Sequence, residues 1–242
     1  MYHVYIDGFS GSGFHVAKSS GQLIEGSPLK ALSVDPPFLE YFFVDLAGKK
    51  VEALQRTVGD RRNVHVLHGD SNEILLRDVF PKVQYKDYRR GLCLLDPYGL
   101  HLDWRVLEAA GKLRTLDLFL NFPILDMNRN ALWHDSDRVD PDQALRMSRF
   151  WGDDSWRTEV YKPSKQATLF GNVELEKQGN PEVAEAFRRR LKEVAGFTQV
   201  LEPLPMRNTK GGIVYYLFFA SHKPVALKIV KAIFAKYRHR AA

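Results

Sequence analysis

Four aspartates stand at or just after the ends of short apolar runs, and they are the residues in this sequence with the clearest chemical potential. The runs are rich in β-branched and aromatic residues, which is typical of buried strands. Because the carboxyl ends of parallel strands meet at one edge of a sheet, such carboxylates can bind different parts of one ligand. The aspartates, each with its run, are Asp7 after 4–6, Asp45 after 41–44, Asp70 after 64–67 and Asp96 after 92–95.

The segment after the first apolar run is rich in glycine and reads D-x-F-x-G-x-G. Glycine adopts positive φ and lets the backbone come close to a ligand. The spacing differs from the G-x-G-x-x-G of dinucleotide sites. It resembles the cofactor loop of S-adenosylmethionine-dependent methyltransferases, which surrounds the methionine end of the cofactor, although a plain glycine turn explains the local pattern about as well. The residues that the resemblance assigns to the cofactor are Asp7, Gly8, Phe9, Gly11 and Gly13.

The second and third aspartates each have two interpretations. Asp45 lies where a carboxylate accepts both hydroxyls of a ribose, or where it favours the start of a helix predicted over 49–58. Asp70 or Ser71 can cap a helix predicted from Asn72 to Val79. In a methyltransferase-like sheet, Asp70 can instead accept a hydrogen bond from the adenine amine. The neighbouring residues included in the predicted cofactor site are Leu46, Ser71 and Asn72.

The fourth aspartate begins Asp96-Pro97-Tyr98. This segment resembles the D/N-P-P-Y/F catalytic loop of enzymes that methylate amino groups of nucleic-acid bases or of glutamine, but the second proline is missing. Asp96 and the carbonyl of Pro97 can accept hydrogen bonds from an exocyclic amine, and Tyr98 can stack on the base. A proline turn with an Asx-type hydrogen bond is the purely structural alternative.

The composition limits the class of protein. The chain has 242 residues, of which 45% are hydrophobic and 26% charged, as in soluble globular proteins. No apolar run approaches the roughly 20 residues of a membrane span, and the start lacks a signal-peptide pattern, so we predict a cytoplasmic protein without membrane contact. The one cysteine, Cys93, excludes internal disulfides and cysteine-based metal clusters, and we predict no metal site.

The order of the predicted elements indicates an α/β protein with a Rossmann-like methyltransferase fold. Strands and helices alternate through residue 122, and a final strand pair, 198–201 and 212–220, has a connection so short that it must be antiparallel. We therefore predict a seven-stranded, mostly parallel sheet with an antiparallel last strand. The predicted parts are a cofactor-binding core at 1–126, a helical or irregular insertion at 127–179, and 180–242, which completes the sheet and ends in a basic helix, Lys223 to His239.

Basic residues are concentrated in three parts of the chain. Three of the four tryptophans lie in the insertion, interleaved with arginines, and this pattern suits either contact with bases and phosphates or an ordinary subdomain core. The triplet Arg188 to Arg190 and the last helix carry further positive charge. The formal net charge of +6 and the pI near 9.3 slightly favour nucleic acid as a partner over a merely solvated surface.

Five segments taken together resemble the three-Cys-motif partner family, TcmP. They are 5–11, 26–29, 43–45, 69–72 and 96–99. The pairs Arg129-Asn130 and Arg207-Asn208 are similar too, so the resemblance covers nearly the whole chain. The family is a bacterial and phage group with a methyltransferase-like domain, named for its genomic pairing with a separate protein that carries a three-cysteine, radical-SAM-like motif.

The resemblance implies S-adenosylmethionine as cofactor and a three-Cys-motif protein as partner, but it does not supply the reaction. Such proteins usually have a helical stretch before the first strand, whereas here the first strand begins almost at Met1. The residues that we predict to contact substrate are Arg129, Asn130, Arg207, Asn208 and Lys210.

Three functional hypotheses follow. The first is a methyltransferase that transfers a methyl group to a nitrogen of a nucleic-acid base. The second is a binding subunit that docks to its cysteine-rich partner without catalysis of its own. The third is a nuclease that holds magnesium with Asp7, Asp70 and Asp96. It is less favoured, because a hard cation does not require the glycine loop.

Overall fold

A large twisted sheet organises the molecule, and the computed structural model describes it within residues 1–16, 21–135, 138–163 and 175–238. The strands are β1 (Tyr2–Asp7), β2 (Phe14–Val16), β3 (Leu23–Glu25), β4 (Glu40–Asp45), β5 (Val64–His68), β6 (Arg89–Leu95), β7 (Leu116–Phe122), β8 (Tyr161–Pro163), β9 (Leu175–Lys177), β10 (Gln199–Val200), β11 (Leu204–Arg207) and β12 (Ile213–Ser221). The helices are α1 (Ser27–Leu32), α2 (Gly48–Val58), α3 (Ser71–Ile74), α4 (Trp104–Leu113), α5 (Ile124–Asn130), α6 (Pro141–Trp151), α7 (Trp156–Val160), α8 (Asn180–Glu193) and α9 (Pro224–Arg238).

The strand order confirms the predicted fold class. The order is β5-β4-β1-β6-β7-β12, with β10 and β11 sharing the edge beside β12. All neighbouring pairs from β5 to β7 are parallel, and β12 runs antiparallel to β7. The carboxyl ends of β1, β4, β5 and β6 therefore meet at one edge, as the sequence predicts.

The last part of the sheet differs in one detail from the prediction. The segment expected to be a plain connection, 203–211, contains strand β11, which pairs with β12. Pro203 lies between β10 and β11. Because proline has no N–H to donate to a ladder, the edge strand is interrupted there and then resumes.

Both faces of the sheet are covered by helices. On one face Phe122 packs against Phe187 of α8 and Phe150 of α6, at ring-centroid distances of 4.6 and 5.8 Å. On the other face, aromatic residues of β1 and β4 pack with α1 and α2, and α9 covers Phe219 near the sheet edge. Cys93 is fully buried in the first of these cores, where it packs as a small apolar side chain, and burial raises the pKa of its thiol.

The predicted insertion shares the core of the sheet. Trp151 and Trp156 are fully buried, and the Trp151 ring lies 5.4 Å from that of Phe187. Two of its three tryptophans therefore form core rather than stack on bases, whereas Trp133 is 40% exposed. Arg190 lies 4.9 Å from the Trp104 ring centroid, and its Nε donates to the carbonyl of Trp151. Residues 164–174 of this insertion lie outside the described residues.

The arginine triplet of α8 does not form a free basic patch. Arg188 pairs with Glu185 at 3.1 Å, Arg189 with Glu159 at 2.9 Å and Arg190 with Asp153 at 2.9 Å. The basic helix predicted to end at His239 is α9, and His239 itself lies outside the described residues. Among the described residues, none of the helices combines the length and apolar character that crossing a membrane requires.

Gly111 of α4 provides a test of this packing. A β-carbon at this position would lie 1.9 Å from the carbonyl oxygen of Ala195 and 2.8 Å from its carbonyl carbon. Because backbone cannot move aside as a flexible side chain can, we expect Gly111→Ala to lower the free energy of unfolding by roughly 2 to 4 kcal/mol. Thermal denaturation followed by circular dichroism would measure this.

The matched control is Gly48→Ala at the start of α2. A β-carbon there would lie 3.5 Å from the His68 ring, an ordinary contact, and alanine favours helix. Equal melting temperatures for the two variants would contradict the described contact between α4 and the residues after α8.

Candidate active site

The carboxyl edge of the sheet opens into a cleft of about 1050 Å³. It is lined by all the predicted cofactor and catalytic residues except Asp7, Gly8 and Gly13, namely Phe9, Gly11, Asp45, Leu46, Asp70, Ser71, Asn72, Asp96, Pro97 and Tyr98. Residues from four strand ends, scattered over 90 positions of sequence, thus surround one space. The arrangement follows from the parallel strand order.

Asp45 joins the loops that follow β1 and β4. Its Oδ2 accepts from the backbone N–H of Gly11 at 2.9 Å, and its Oδ1 accepts from that of Ala47 at 2.8 Å. The N-cap residue of α2 is Ala47, so Asp45 is not itself the N-cap residue but lies two residues before it. Each carboxylate oxygen can accept a second hydrogen bond, which leaves capacity for a ligand hydroxyl.

Gly11 is the glycine of the loop that faces open space. Its φ is +65°, and a β-carbon on it would meet no heavy atom within 4 Å. Gly8 and Gly13 are buried instead: a β-carbon on Gly8 would lie 2.7 Å from Leu95 Cδ2, and the Gly13 carbonyl accepts from Gly26 N at 2.7 Å. Only Gly11 of these three lines the cleft.

Asp7 lies beneath the loop and is fully buried. Its Oδ2 accepts from Ser27 Oγ at 2.5 Å and its Oδ1 from Phe9 N at 3.2 Å. Burial raises the pKa of Asp7 to about 7; the two hydrogen bonds act in the opposite direction, and the carboxylates of Asp96 and Asp45 raise it further. The structure therefore places Asp7 as a support of the glycine loop rather than on the cleft surface.

The loop after β5 is connected to its neighbours on both sides. Asp70 caps α3, accepting from Asn72 N at 2.9 Å, which confirms its predicted capping. The buried Ser71 hydroxyl donates to the carbonyl of Gly8. The Asn72 side chain donates to the carbonyl of His101 at 2.9 Å and accepts from Asp103 N at 2.8 Å, so this loop also holds the segment after β6.

Asp96 is exposed at the end of β6, and its orientation is set by one neighbour. Asn121 Nδ2 donates to Asp96 Oδ1 at 2.7 Å. Within the described part of the chain, Oδ2 of Asp96 accepts no hydrogen bond. Pro97 is buried, whereas Tyr98 is 87% exposed. The loop therefore presents one free carboxylate oxygen and one uncovered aromatic ring.

Asp96 and Pro97 also line a second, smaller cavity of about 200 Å³. Its other lining residues are Asn121, Pro123, Leu125, Asp126, Arg129, Val214 and Tyr215. Burial and, second, the charge of Asp96 raise the pKa of the Tyr215 hydroxyl. Asp96 and Pro97 thus line both spaces.

The predicted substrate residues fall into two groups. Arg129 lines the smaller cavity, and Asn130 donates to Asp126 of its wall at 3.0 Å. Arg207 instead donates to the carbonyl of Gly211 at 2.7 Å, and Asn208 Oδ1 accepts from the N–H groups of Lys210 and Gly212. The second group closes the β11–β12 hairpin and does not line either space.

Several site residues are not evident in the sequence. Asn121 is a polar residue at a half-buried position near the carboxyl end of β7, a signal that could have identified it, while Tyr215 lies in a strand of similar residues. Arg146 and Arg149 of α6 line the large cleft although they follow β7 by more than 20 residues. Only the packing of α6 beside α4 brings them there.

The nuclease hypothesis lacks geometric support. Among the described residues, no group of three or more histidine, cysteine, aspartate or glutamate side chains is arranged to hold a metal ion. Asp7, one of the three required ligands, is sealed beneath the loop.

Comparisons with known proteins extend the fold assignment. No protein-family model matches the chain, and no curated protein matches it. A Legionella pneumophila protein described by family model DUF519 is similar over 98% of this chain and 84% of its own, with 13% identity and a TM-score of 0.52. The methyltransferase domain of bacterial CtHen1 (91% and 89% covered, 12% identity, TM-score 0.44) and an S-adenosylmethionine-dependent methyltransferase of Mesorhizobium loti (90% of each, 11%, 0.41) are also similar. At 13% identity, the likeness to the Legionella pneumophila protein supports the fold alone.

The buried Asp7 leads to a prediction about pH. Because the pKa of Asp7 is raised to about 7 from the ordinary 3.8, protonated Asp7 contributes stability that is complete below about pH 4 and is lost as the pH rises through about 7. Asp7→Asn cannot ionise. Its free energy of unfolding relative to the parent should rise by about 2 kcal/mol between about pH 5 and about pH 8, measured by urea denaturation.

The control is Asp60→Asn, which neutralises an exposed aspartate in the turn after α2. Its stability should follow the parent at every pH. Parallel profiles for Asp7→Asn and the parent would show that Asp7 is ionised without penalty in the folded protein.

Proposed function

We propose that this protein is an S-adenosylmethionine-dependent methyltransferase that methylates an exocyclic amine of a nucleic-acid base. The observation that carries the proposal is that Asp96 and Pro97 line both the large cleft and the smaller cavity. A group-transfer enzyme needs a donor and an acceptor on opposite sides of the reacting atoms, held in line. The large cleft suits the donor, and the smaller cavity suits a planar acceptor.

The residues of the cleft fit the proposed cofactor. Gly11 leaves open space where a side chain would stand, and the surrounding carboxylates suit a ligand with a sulfonium and an ammonium group. Gly11 and Phe9 would hold the methionine end, Asp45 the ribose and Asp70 the adenine. When bound, S-adenosylmethionine would supply an electrophilic methyl group.

Asp96 is the group proposed to act on the acceptor. The lone pair of an exocyclic amine is delocalised into the ring, so the amine becomes nucleophilic only when acceptors draw its protons. The free Oδ2 of Asp96 and the carbonyl of Pro97 would accept them, while Asn121 keeps the carboxylate in orientation through its 2.7 Å hydrogen bond. Proline fixes φ and so limits the mobility of this turn.

The departure from D-P-P-Y concerns the residue after Pro97. Tyr98 occupies the position of the second proline, and it is the exposed aromatic of the loop. The ring lines the large cleft and not the smaller cavity, so it could stack on a base of the substrate strand at the mouth of the cleft, an interaction worth about 1 to 3 kcal/mol in single-stranded complexes. Membership of the TcmP family, a cytoplasmic location and a three-Cys-motif partner belong to the same proposal and rest on the sequence resemblance.

Isothermal titration calorimetry with S-adenosylmethionine and S-adenosylhomocysteine tests the donor side. We expect both to bind. Asp45→Ala should weaken binding by roughly 1 to 3 kcal/mol, because a ligand hydroxyl loses its charged acceptor. Glu52→Ala, an exposed change on α2, is the control. A folded parent protein that binds neither compound would refute the enzyme proposal.

Asp96→Ala tests the acceptor side. The Asp96 carboxylate is proposed to stabilise the transition state and not to bind the cofactor. We therefore expect the rate of methyl transfer to fall at least about a hundredfold in the variant, while cofactor affinity stays within about tenfold. The assay is transfer of labelled methyl to bulk RNA and DNA, with Asp87→Ala as an exposed control. Retained transfer in a stable variant, or a loss matching the unfolded fraction, would assign Asp96 a structural role only.

A second candidate function is a binding subunit, and an exposed apolar stripe on α9 favours it. Val225, Ile229 and Ile233 are 65%, 58% and 45% exposed and recur every four residues. The described helix carries lysines but no acidic residue. Size-exclusion chromatography with the purified three-Cys-motif protein would show a complex that Ile229→Asp abolishes and Val194→Asp, an equally apolar exposed position, does not.

A further inference from the structure

The mouth of the large cleft combines two free guanidinium groups with an exposed aromatic pair. Arg146 and Arg149 come from α6, and Tyr98 and His101 come from the loop after β6. All four side chains line the same cleft and are exposed. We call these four residues the rim. They come from separate parts of the sequence, so no linear pattern predicts them.

The two arginines of the rim stand out by their lack of acidic partners. Within the described residues neither forms an ion pair, although several carboxylates line the same cleft. Arg105, also at this cleft, is by contrast held by Asp103 at 2.8 Å and Glu73 at 3.1 Å. Arg146 and Arg149 are three residues apart on a helix, so they project to the same side. Such a pair suits one anionic group with several acceptor oxygens, as a phosphodiester has.

The aromatic half of the rim points to the rest of that ligand. The Tyr98 ring is 87% exposed and lies 6.1 Å from the His101 ring, at an interplanar angle of 33°. Exposed rings beside unpaired arginines are the combination with which proteins bind unpaired nucleotides, because each base offers a face and each linkage a charge. An acidic peptide would use the arginines but would leave Tyr98 without a partner.

We propose that the rim binds single-stranded nucleic acid, with Arg146 and Arg149 on a phosphodiester and Tyr98 stacked on a base. A base in a duplex is stacked on its neighbours and presents only its edge, so the Tyr98 ring cannot cover its face. The inference deepens the proposed function, since the bound strand would lie beside Asp96. Binding to the rim itself requires neither cofactor nor turnover.

The test is fluorescence anisotropy with labelled oligonucleotides of about 20 residues, single-stranded and as the matching duplex, without cofactor. The double variant Arg146→Glu/Arg149→Glu should bind the single strand at least about tenfold more weakly than the parent. Its log-log salt dependence should fall by about 0.7 for each phosphate contact removed. Tyr98→Ala should also weaken binding, and Tyr98→Phe should restore it, because the ring and not the hydroxyl stacks.

The matched control is Arg61→Glu/Arg62→Glu. These two exposed arginines precede β5 and so lie at the opposite edge of the sheet, and their reversal changes the net charge equally. We expect the affinity of this variant for the single strand to stay within about twofold of that of the parent, apart from a general effect of net charge that both double variants share.

Four outcomes would overturn the inference. The first is an equal loss of single-strand affinity in both double variants, and the second is equal affinity of the parent for duplex and single strand. The third is that polyglutamate competes with the labelled strand as well as unlabelled single strand does. The fourth is that the rim variant binds oligonucleotide as the parent does but binds cofactor more weakly. The last would assign the arginines to the cofactor. Failure of the proposed function is distinguishable, because the parent would then bind oligonucleotide through the rim but give no heat with S-adenosylmethionine.

Discussion

The candidate site depends on one carboxylate, that of Asp45, which accepts hydrogen bonds from the loops after two neighbouring strands. A glycine-rich loop has high conformational entropy, and it keeps one shape only if its backbone N–H groups find fixed acceptors. Asp45, which lines the cleft, supplies one such acceptor, and Asp7 supplies another from below through Phe9. Both aspartates are buried, so the loop is held between two acidic groups that are shielded from solvent.

The loops on the other side of the cleft are also held by side-chain hydrogen bonds, here from two asparagines. Asn72 connects the loop after β5 to the segment that leads into α4, and Asn121 connects β7 to Asp96. Amide side chains suit these positions because they donate and accept at once and carry no charge that would compete with the nearby carboxylates. The carboxylates that remain on the surface, Asp70 and Asp96, are therefore positioned by neutral neighbours. Their free oxygens are available to a ligand.

The sequence predicts those parts of the structure that depend on local signals. Strand ends marked by Asp45, Asp70 and Asp96 were found because a buried run that stops at a carboxylate is a local pattern, and parallel pairing then brings such ends together. Strand β11 was missed because a segment with two prolines resembles a loop, and its edge position tolerates them. The burial of Trp151 and Trp156 could not be decided, since tryptophans among arginines occur in cores and at interfaces alike. Arg146, Arg149 and Tyr215 reach the site through tertiary packing, which leaves no mark on sequence spacing.

The shared core of sheet and insertion limits how the chain between β7 and α8 can vary. Phe122 of the sheet touches Phe150 of the insertion and Phe187 of α8, and Trp151 also packs on Phe187. The insertion therefore cannot be lost or exchanged as a cassette, because its removal would leave a large aromatic surface facing water. Even the exposed turn at 152–155 is tied to this core, since Asp153 pairs with Arg190 of α8 at 2.9 Å. The sheet and the helix that carries two residues of the rim therefore form one structural unit, so the rim can change by substitution on α6 but not by exchange of the whole insertion.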